Sequence, residues 1–146
     1  MATFSRNVTV NWEGSIMEGK GSAKAGSGAF TLPVSFPRRI GDAEGITSPE
    51  ELIAAAHASC YAMALNATVG RKGGSIAKTD VTATVTADKG DAGITITGSK
   101  LSVTAHGLTG IPKEQFAEVA REAEGKCPVS NALRGSLKID VDANAV

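Results

Sequence analysis

Between Ser48 and Leu65 the chain reads SPEELIAAAHASCYAMAL. Ser48 is a good N-cap, Pro49 suits the first helical position, and Glu51 stands three residues after the cap, so the segment opens with a capping box and a proline start. The pattern predicts a helix from Pro49 to about Val69, with Gly70 as the C-terminal stop. From Leu52 to Leu65 it is alanine-rich and apolar on every side, interrupted only by His57, Ser59 and Cys60. A helix without a polar face is expected to be buried all round.

Upstream, residues 35–47 (SFPRRIGDAEGIT) have no period and carry Pro37, Arg38, Arg39, Gly41 and Gly45, which predicts a loop. Before it, Val8, Val10 and Trp12 alternate with polar residues as a strand. A second strand is expected over Ile16–Ala23, and a third around Phe30, Leu32 and Val34. Downstream, Val81, Ala83, Val85 and Ala87 form a strand, Asp88 to Gly93 a hairpin loop, and Ile94 to Ala105 the return. The phase changes between Ile96 and Leu101, so a bulge is expected at Gly98-Ser99. Pro112 starts an amphipathic helix with Phe116, Val119, Ala120 and Ala123 on one face, ending at Gly125. Cys127-Pro128 opens a short helix to about Leu133, and Leu137, Ile139 and Val141 alternate as a last strand. There is no internal repeat. The order of elements predicts a single α+β domain, residues 1–146, with antiparallel sheet rather than βαβ winding.

Fifteen Lys and Arg offset fifteen Asp and Glu, so the chain has no basic field for nucleic acid or an anionic membrane. With 42% hydrophobic residues the composition is that of a folded domain, not a disordered one. Aromatic residues make up only 4% and there are 17 glycines, which leaves a thin core built from Ala, Val, Ile and Leu. Cover from a second copy of the chain, a homodimer, is therefore expected. The opening Met1-Ala2-Thr3-Phe4-Ser5-Arg6 lacks an apolar signal core, and no stretch is read as approaching the ~18–20 apolar residues of a membrane span. A cytoplasmic location follows as the expectation. The two cysteines suit neither a secreted disulfide framework nor a CxxC zinc site.

Cys60 sits mid-helix, where a free cysteine ordinarily behaves as a small hydrophobe. Cys127 lies at the N-cap of a short helix, where the helix dipole favours a thiolate, and on local chemistry it is the better nucleophile. A buried Cys60 would need a guanidinium beside it to react, which draws attention to Arg38 and Arg39. Glu51 is explained by the capping box. Glu50 has no such duty, but at 1.5 Å per residue it stands about 15 Å from Cys60 along the helix axis, so the two cannot touch. An arginine must bridge them, or Glu50 must come from the other subunit. His57 shares a helix face with Cys60, so a base, a metal ligand, or a core histidine bonded to backbone are all open, the last being the default. No further ligands stand at metal spacing; a metal-dependent hydrolase using His57 and Cys60 is the most remote reading.

Three segments, SPEELIAAAHASCYAMAL (Ser48–Leu65), CPVSNAL (Cys127–Leu133) and VNWEGSIMEGKG (Val10–Gly21), resemble the OsmC/Ohr family, osmotically inducible protein C and the organic hydroperoxide resistance proteins, with AAHA and CPVS more like the OsmC branch. The resemblance implies antiparallel sheets wrapped around a long central helix in an intertwined homodimer with active sites at the subunit interface. It implies a cytoplasmic two-cysteine peroxidase acting on organic hydroperoxides, and more weakly on hydrogen peroxide, in oxidative and osmotic stress. Cys60 would be the peroxidatic cysteine and Cys127 the resolving one, reversing the local ranking. The family arginine maps to Arg39, or to Arg38 if the loop is one residue longer than the pattern, and the family glutamate maps to Glu50. No cofactor is implied beyond an external dithiol reductant of the lipoyl-protein type. The alternative on the same fold is a stress-induced binding or structural protein with inert cysteines.

Overall fold

The computed structural model describes residues 1–146, which form two compact units, Met1–Pro49 and Glu50–Val146.

In the first unit, strands β1 (Val8–Glu13), β2 (Lys20–Ala25) and β3 (Thr31–Val34) make a three-stranded antiparallel meander. Val10 pairs with Ala23, and Ala23 with Leu32. The second strand begins later than its sequence indicated, because Ile16–Glu18 form a turn closed by the Gly19 N–H donating to Ser15 O at 2.7 Å. A side chain at Gly19 would collide with that same carbonyl, which is why the turn needs glycine. The segment predicted as loop holds one short helix, α1 (Phe36–Ile40), with Pro37 in its first turn and Gly41 as its cap. Proline pre-sets the helical φ there, and five residues are too few for a visible apolar period.

The second unit begins on helix α2 (Pro49–Arg71), continues through strands β4 (Lys78–Gly90) and β5 (Gly93–His106), helices α3 (Phe116–Lys126) and α4 (Pro128–Leu133), and ends on β6 (Lys138–Ala145). A single 3-10 turn, Lys113–Gln115, leads into α3. β4 and β5 pair antiparallel, with the register changing where Thr86 faces Gly98 and Ala87 faces Ile96. Thr97 is the extra residue, one position before the expected bulge. β6 pairs with β5 in parallel, Leu101 opposite Val141. The all-antiparallel expectation is corrected here. α3 and α4 carry the chain back across the sheet before β6 begins, a crossover that delivers a parallel strand, and a period of two is blind to strand direction.

α2 passes Gly70 and ends in a Schellman motif. The Gly73 N–H donates to Gly70 O and the Gly74 N–H to Val69 O, both at 3.0 Å, with Gly73 at φ +81°. Its buried residues are His57, Tyr61, Leu65, Thr68 and Val69, a single stripe at helical spacing. The expectation of burial all round is therefore wrong for the single chain: Ala55, Ala56, Met63 and Ala67 are exposed. So is the statement that no stretch approaches a membrane span, since α2 is long and apolar enough to cross one. Its length comes from low-polarity alanines, and its buried stripe marks a core helix.

The core joins Tyr61, Leu65 and Val69 of α2 to Leu101, Val103 and Ala105 of β5 and to Phe116, Val119, Ala120 and Ala123 of α3, the face predicted for that helix. Tyr61 donates its buried hydroxyl to Ala120 O at 2.8 Å and so ties α2 to α3. Cys127 belongs to this core, and Cys60 packs against it.

Candidate active site

Cys60 lies at the margin of the α2 stripe, half-buried, and Cys127 is fully buried as the N-cap of α4. The fold brings them together: the Cys60 thiol is hydrogen-bonded to Cys127. The first turn of α4 attends to both sulfurs. The Val129 N–H donates to Cys60, and the Ser130 N–H donates to Cys127 Sγ at 3.4 Å. Burial pushes the Cys60 thiol up, the Val129 N–H pulls it down, and the neighbouring Cys127 raises it further. The net direction is upward, so Cys60 needs a cation beside it to react as a thiolate.

His57 is fully buried and uses both ring nitrogens. Nδ1 bonds Ser99 Oγ at 2.6 Å and Nε2 bonds Ser130 Oγ at 2.7 Å. Burial lowers its pKa, opposed by the charge of Glu124, so the ring is held neutral. The default of a core histidine bonded to backbone is corrected in its partners, which are two hydroxyls. With both nitrogens engaged, the imidazole has no lone pair left for a metal or for the Cys60 proton. No group of three or more His, Cys, Asp or Glu side chains gathers elsewhere at metal-binding distance.

Sequence reasoning missed Ser99 and Ser130. One signal was present: Ser99 has the inward phase of Leu101, Val103 and Ala105 on β5, and a hydroxyl in that row must find a partner. Next to this cluster, Arg134 pairs with Glu124 at 2.8 Å and reaches Asn131 Oδ1 at 3.2 Å, while Asn131 donates to Gly125 O at 3.2 Å, bracing the end of α4 on α3.

Glu50 is in the first turn of α2 beside Glu51, about 15 Å along the axis from Cys60 by helical rise. Arg38 and Arg39 both fall in the last turn of α1. The Arg38 guanidinium pairs with Glu44 at 2.7 Å and donates to Asp42 O at 3.2 Å within its own loop.

A family model described as OsmC-like protein matches residues 41–142. The chain belongs to the OsmC-like family. The matched span contains Glu50, Cys60 and Cys127; Arg38 and Arg39 lie just before it. Peroxiredoxin OsmC of Escherichia coli is 37% identical over 139 residues, covering 94% of this chain and 96% of that one. Organic hydroperoxide resistance protein OhrA of Bacillus subtilis is 32% identical over 114 residues, covering 76% and 78%. Among solved structures, an organic hydroperoxide resistance protein OsmC from Legionella pneumophila superposes with TM-score 0.76 over 99% of both chains at 23% identity. OhrB of Bacillus subtilis gives 0.72 at 24% identity, covering 94% of this chain and 98% of its own. These likenesses establish the OsmC-like fold.

Proposed function

We propose that this OsmC-like protein is a thiol-dependent peroxidase that reduces organic hydroperoxides to alcohols. The observation that carries the reading is the hydrogen bond between the Cys60 and Cys127 thiols in the folded chain. The names of the curated relatives, a peroxiredoxin and hydroperoxide resistance proteins, point the same way.

In the first step the Cys60 thiolate attacks the terminal peroxide oxygen. The S–O bond forms, the O–O bond breaks, and the alkoxide leaves as alcohol after taking a proton, with Cys60 left as a sulfenic acid. The Cys127 thiolate then attacks that sulfur, the S–S bond forms as the S–O bond breaks, and hydroxide leaves as water with the proton Cys127 gave up. An external dithiol, of the lipoyl-protein kind, reduces the disulfide by exchange and closes the cycle. Since burial works against ionisation of Cys60, a guanidinium is required, and Arg39 is assigned that role. Glu50 is assigned to orient the arginine. The apolar residues around Cys60 suit an alkyl or acyl tail, each buried CH₂ adding about 0.8 kcal/mol of affinity. The working form is assigned as a cytoplasmic homodimer. The exposed Ala55, Ala56, Met63 and Ala67 on α2 provide the apolar face that a second copy would cover.

The upward push on the Cys60 thiol favours one second reading, an OsmC-fold protein with inert cysteines and a binding or structural role. Titration of the reduced protein with cumene hydroperoxide decides between them. Loss of both thiols per chain with release of an equivalent of cumyl alcohol supports the peroxidase. Thiols that survive for minutes at a small peroxide excess support the inert protein.

A further inference from the structure

His57 lies three residues from Cys60, yet its ring nitrogens serve Ser99 and Ser130. These three side chains come from α2, β5 and α4 and form a continuous buried chain of hydrogen bonds. A neutral imidazole has one N–H and one lone pair, and each serine hydroxyl can donate or accept, so the chain is satisfied in either tautomer. No buried side-chain nitrogen or oxygen in the protein is left without a partner.

The chain ends at the residue that matters for sulfur chemistry. Ser130 Oγ is fixed by His57 Nε2, and the N–H of the same residue donates to Cys127 Sγ. The preceding N–H, that of Val129, donates to Cys60. Anchoring Ser130 therefore anchors the backbone turn whose amides address both sulfurs. The side chains of Arg134 and Asn131 also brace α4 against α3, through Glu124 and Gly125 O, but neither bonds the Ser130 hydroxyl or the cysteine sulfurs.

We propose that Ser99, His57 and Ser130 are positioning residues that hold the first turn of α4 so that Cys127 Sγ faces Cys60, making disulfide closure faster than over-oxidation of Cys60. This rests on the resolving role assigned to Cys127 above. None of the three touches peroxide. Their effect falls mainly on the closure step: Cys60 is carried by α2, so the first attack loses only the pull of the Val129 N–H on its thiol, whereas closure loses the placement of Cys127 Sγ itself. Misplacement of reacting groups by about 1 Å costs up to about a hundredfold in rate, so loss of the link should slow closure by about tenfold to a hundredfold.

The test separates closure from peroxide chemistry. Diamide takes two electrons and two protons from a pair of thiols to leave a disulfide and a hydrazine, so it closes the Cys60–Cys127 pair without any peroxide. Closure by diamide, and the ratio of disulfide to Cys60 sulfinic acid after cumene hydroperoxide, are followed by mass spectrometry in the full-length wild type and in Ser130→Ala, Ser99→Ala, His57→Leu and His57→Gln. Ser130→Ala and Ser99→Ala each remove one hydroxyl and keep the backbone, so they report even if His57→Leu fails to fold. The glutamine side chain can place an amide near the imidazole Nε2 and keep the link to Ser130. Val69→Ala, at the far end of α2, serves as a control for general destabilisation.

The expected result is slower closure and more sulfinic acid in Ser130→Ala, Ser99→Ala and His57→Leu, partial recovery in His57→Gln, and wild-type behaviour in Val69→Ala, with closure slowed by a larger factor than the first oxidation of Cys60 in each affected variant. Wild-type closure in Ser130→Ala, or equal slowing in Val69→Ala, overturns the positioning role and leaves the peroxidase reading standing. A wild type that closes with diamide but forms no disulfide with peroxide overturns the peroxidase reading, while slowed diamide closure in the variants still supports positioning. Failure of the wild type to close under either oxidant overturns both.

Discussion

The Cys60 thiol is hydrogen-bonded to Cys127 although one lies in the middle of α2 and the other caps α4. Such contact means that a sulfenic acid on Cys60 forms within reach of a second thiol. Removing either sulfur should therefore give different outcomes. Cys60→Ser is expected to abolish hydroperoxide consumption. Cys127→Ser should consume one equivalent to form the sulfenic acid and, under excess peroxide, a second as Cys60 moves on to sulfinic acid, with no sustained turnover. Peroxide assays with intact-protein mass spectrometry check both, and sustained dithiol-driven turnover in Cys127→Ser would remove Cys127 from the resolving role.

The pH dependence of Cys60 follows from the direction of its shift. Burial and Cys127 push the thiol up, with only the Val129 N–H working against them. If Arg39 supplies the compensating charge, Arg39→Ala should move the midpoint of Cys60 alkylation to higher pH, whereas Arg38→Ala should leave it in place. A shift of one unit corresponds to roughly a tenfold slower reaction at neutral pH. Iodoacetamide rates measured between pH 5 and 10 in a Cys127→Ser background give the comparison. Equal midpoints for Arg39→Ala and its parent would leave the thiolate without its assigned cation.

Much of this site was legible before any coordinates. The proline start of α2 at Pro49, the apolar face of α3 and Cys127 as the cap of α4 all follow from local rules that act within a few residues, and the structure shows each of them. What escaped was set by partners distant in sequence. An alternating strand such as Ile139–Val141 reads the same whether its neighbour is parallel or antiparallel. An alanine-rich helix shows no polar face from which to tell which side meets the sheet, so the stripe through His57, Tyr61 and Leu65 was invisible. The serines on His57 come from two other elements, and only the inward phase of Ser99 hinted at them.

His57 also predicts a dependence of stability on pH. Its pKa in the folded protein lies below the unfolded value, about 6.5. As pH falls through 6.5 the unfolded chain takes up a proton that the folded chain refuses, so unfolding is favoured. This contribution to stability is complete above 6.5 and declines as pH drops towards the lowered folded value. Below that value both states are protonated and the loss stops growing. Urea midpoints at pH 8, 6 and 5 should fall for the wild type more than for His57→Gln, which cannot titrate. His106 is half-buried and pairs with Asp80 in both proteins, so it cancels in the comparison. Parallel curves for the two proteins would show that the ring titrates alike folded and unfolded.

The end of α2 gives a prediction in which two nearby glycines move stability in opposite directions. Gly70 is a helical residue, and a Cβ placed there would meet nothing within 4 Å. Gly70→Ala should stabilise the protein by about 0.5–1 kcal/mol, because alanine loses less backbone freedom on entering the helix. Gly73 also has open space around it, but its φ of +81° is the left-handed conformation on which the Schellman bonds depend. Gly73→Ala should therefore cost about 1 kcal/mol or more, and Gly73→Asn less than that, since asparagine tolerates this region better. Urea denaturation should place the three midpoints in the order Gly70→Ala, Gly73→Asn, Gly73→Ala from highest to lowest, with the wild type between the first two. The reverse signs at the two positions would mean that the helix stops at Gly70, where its sequence first suggests an end.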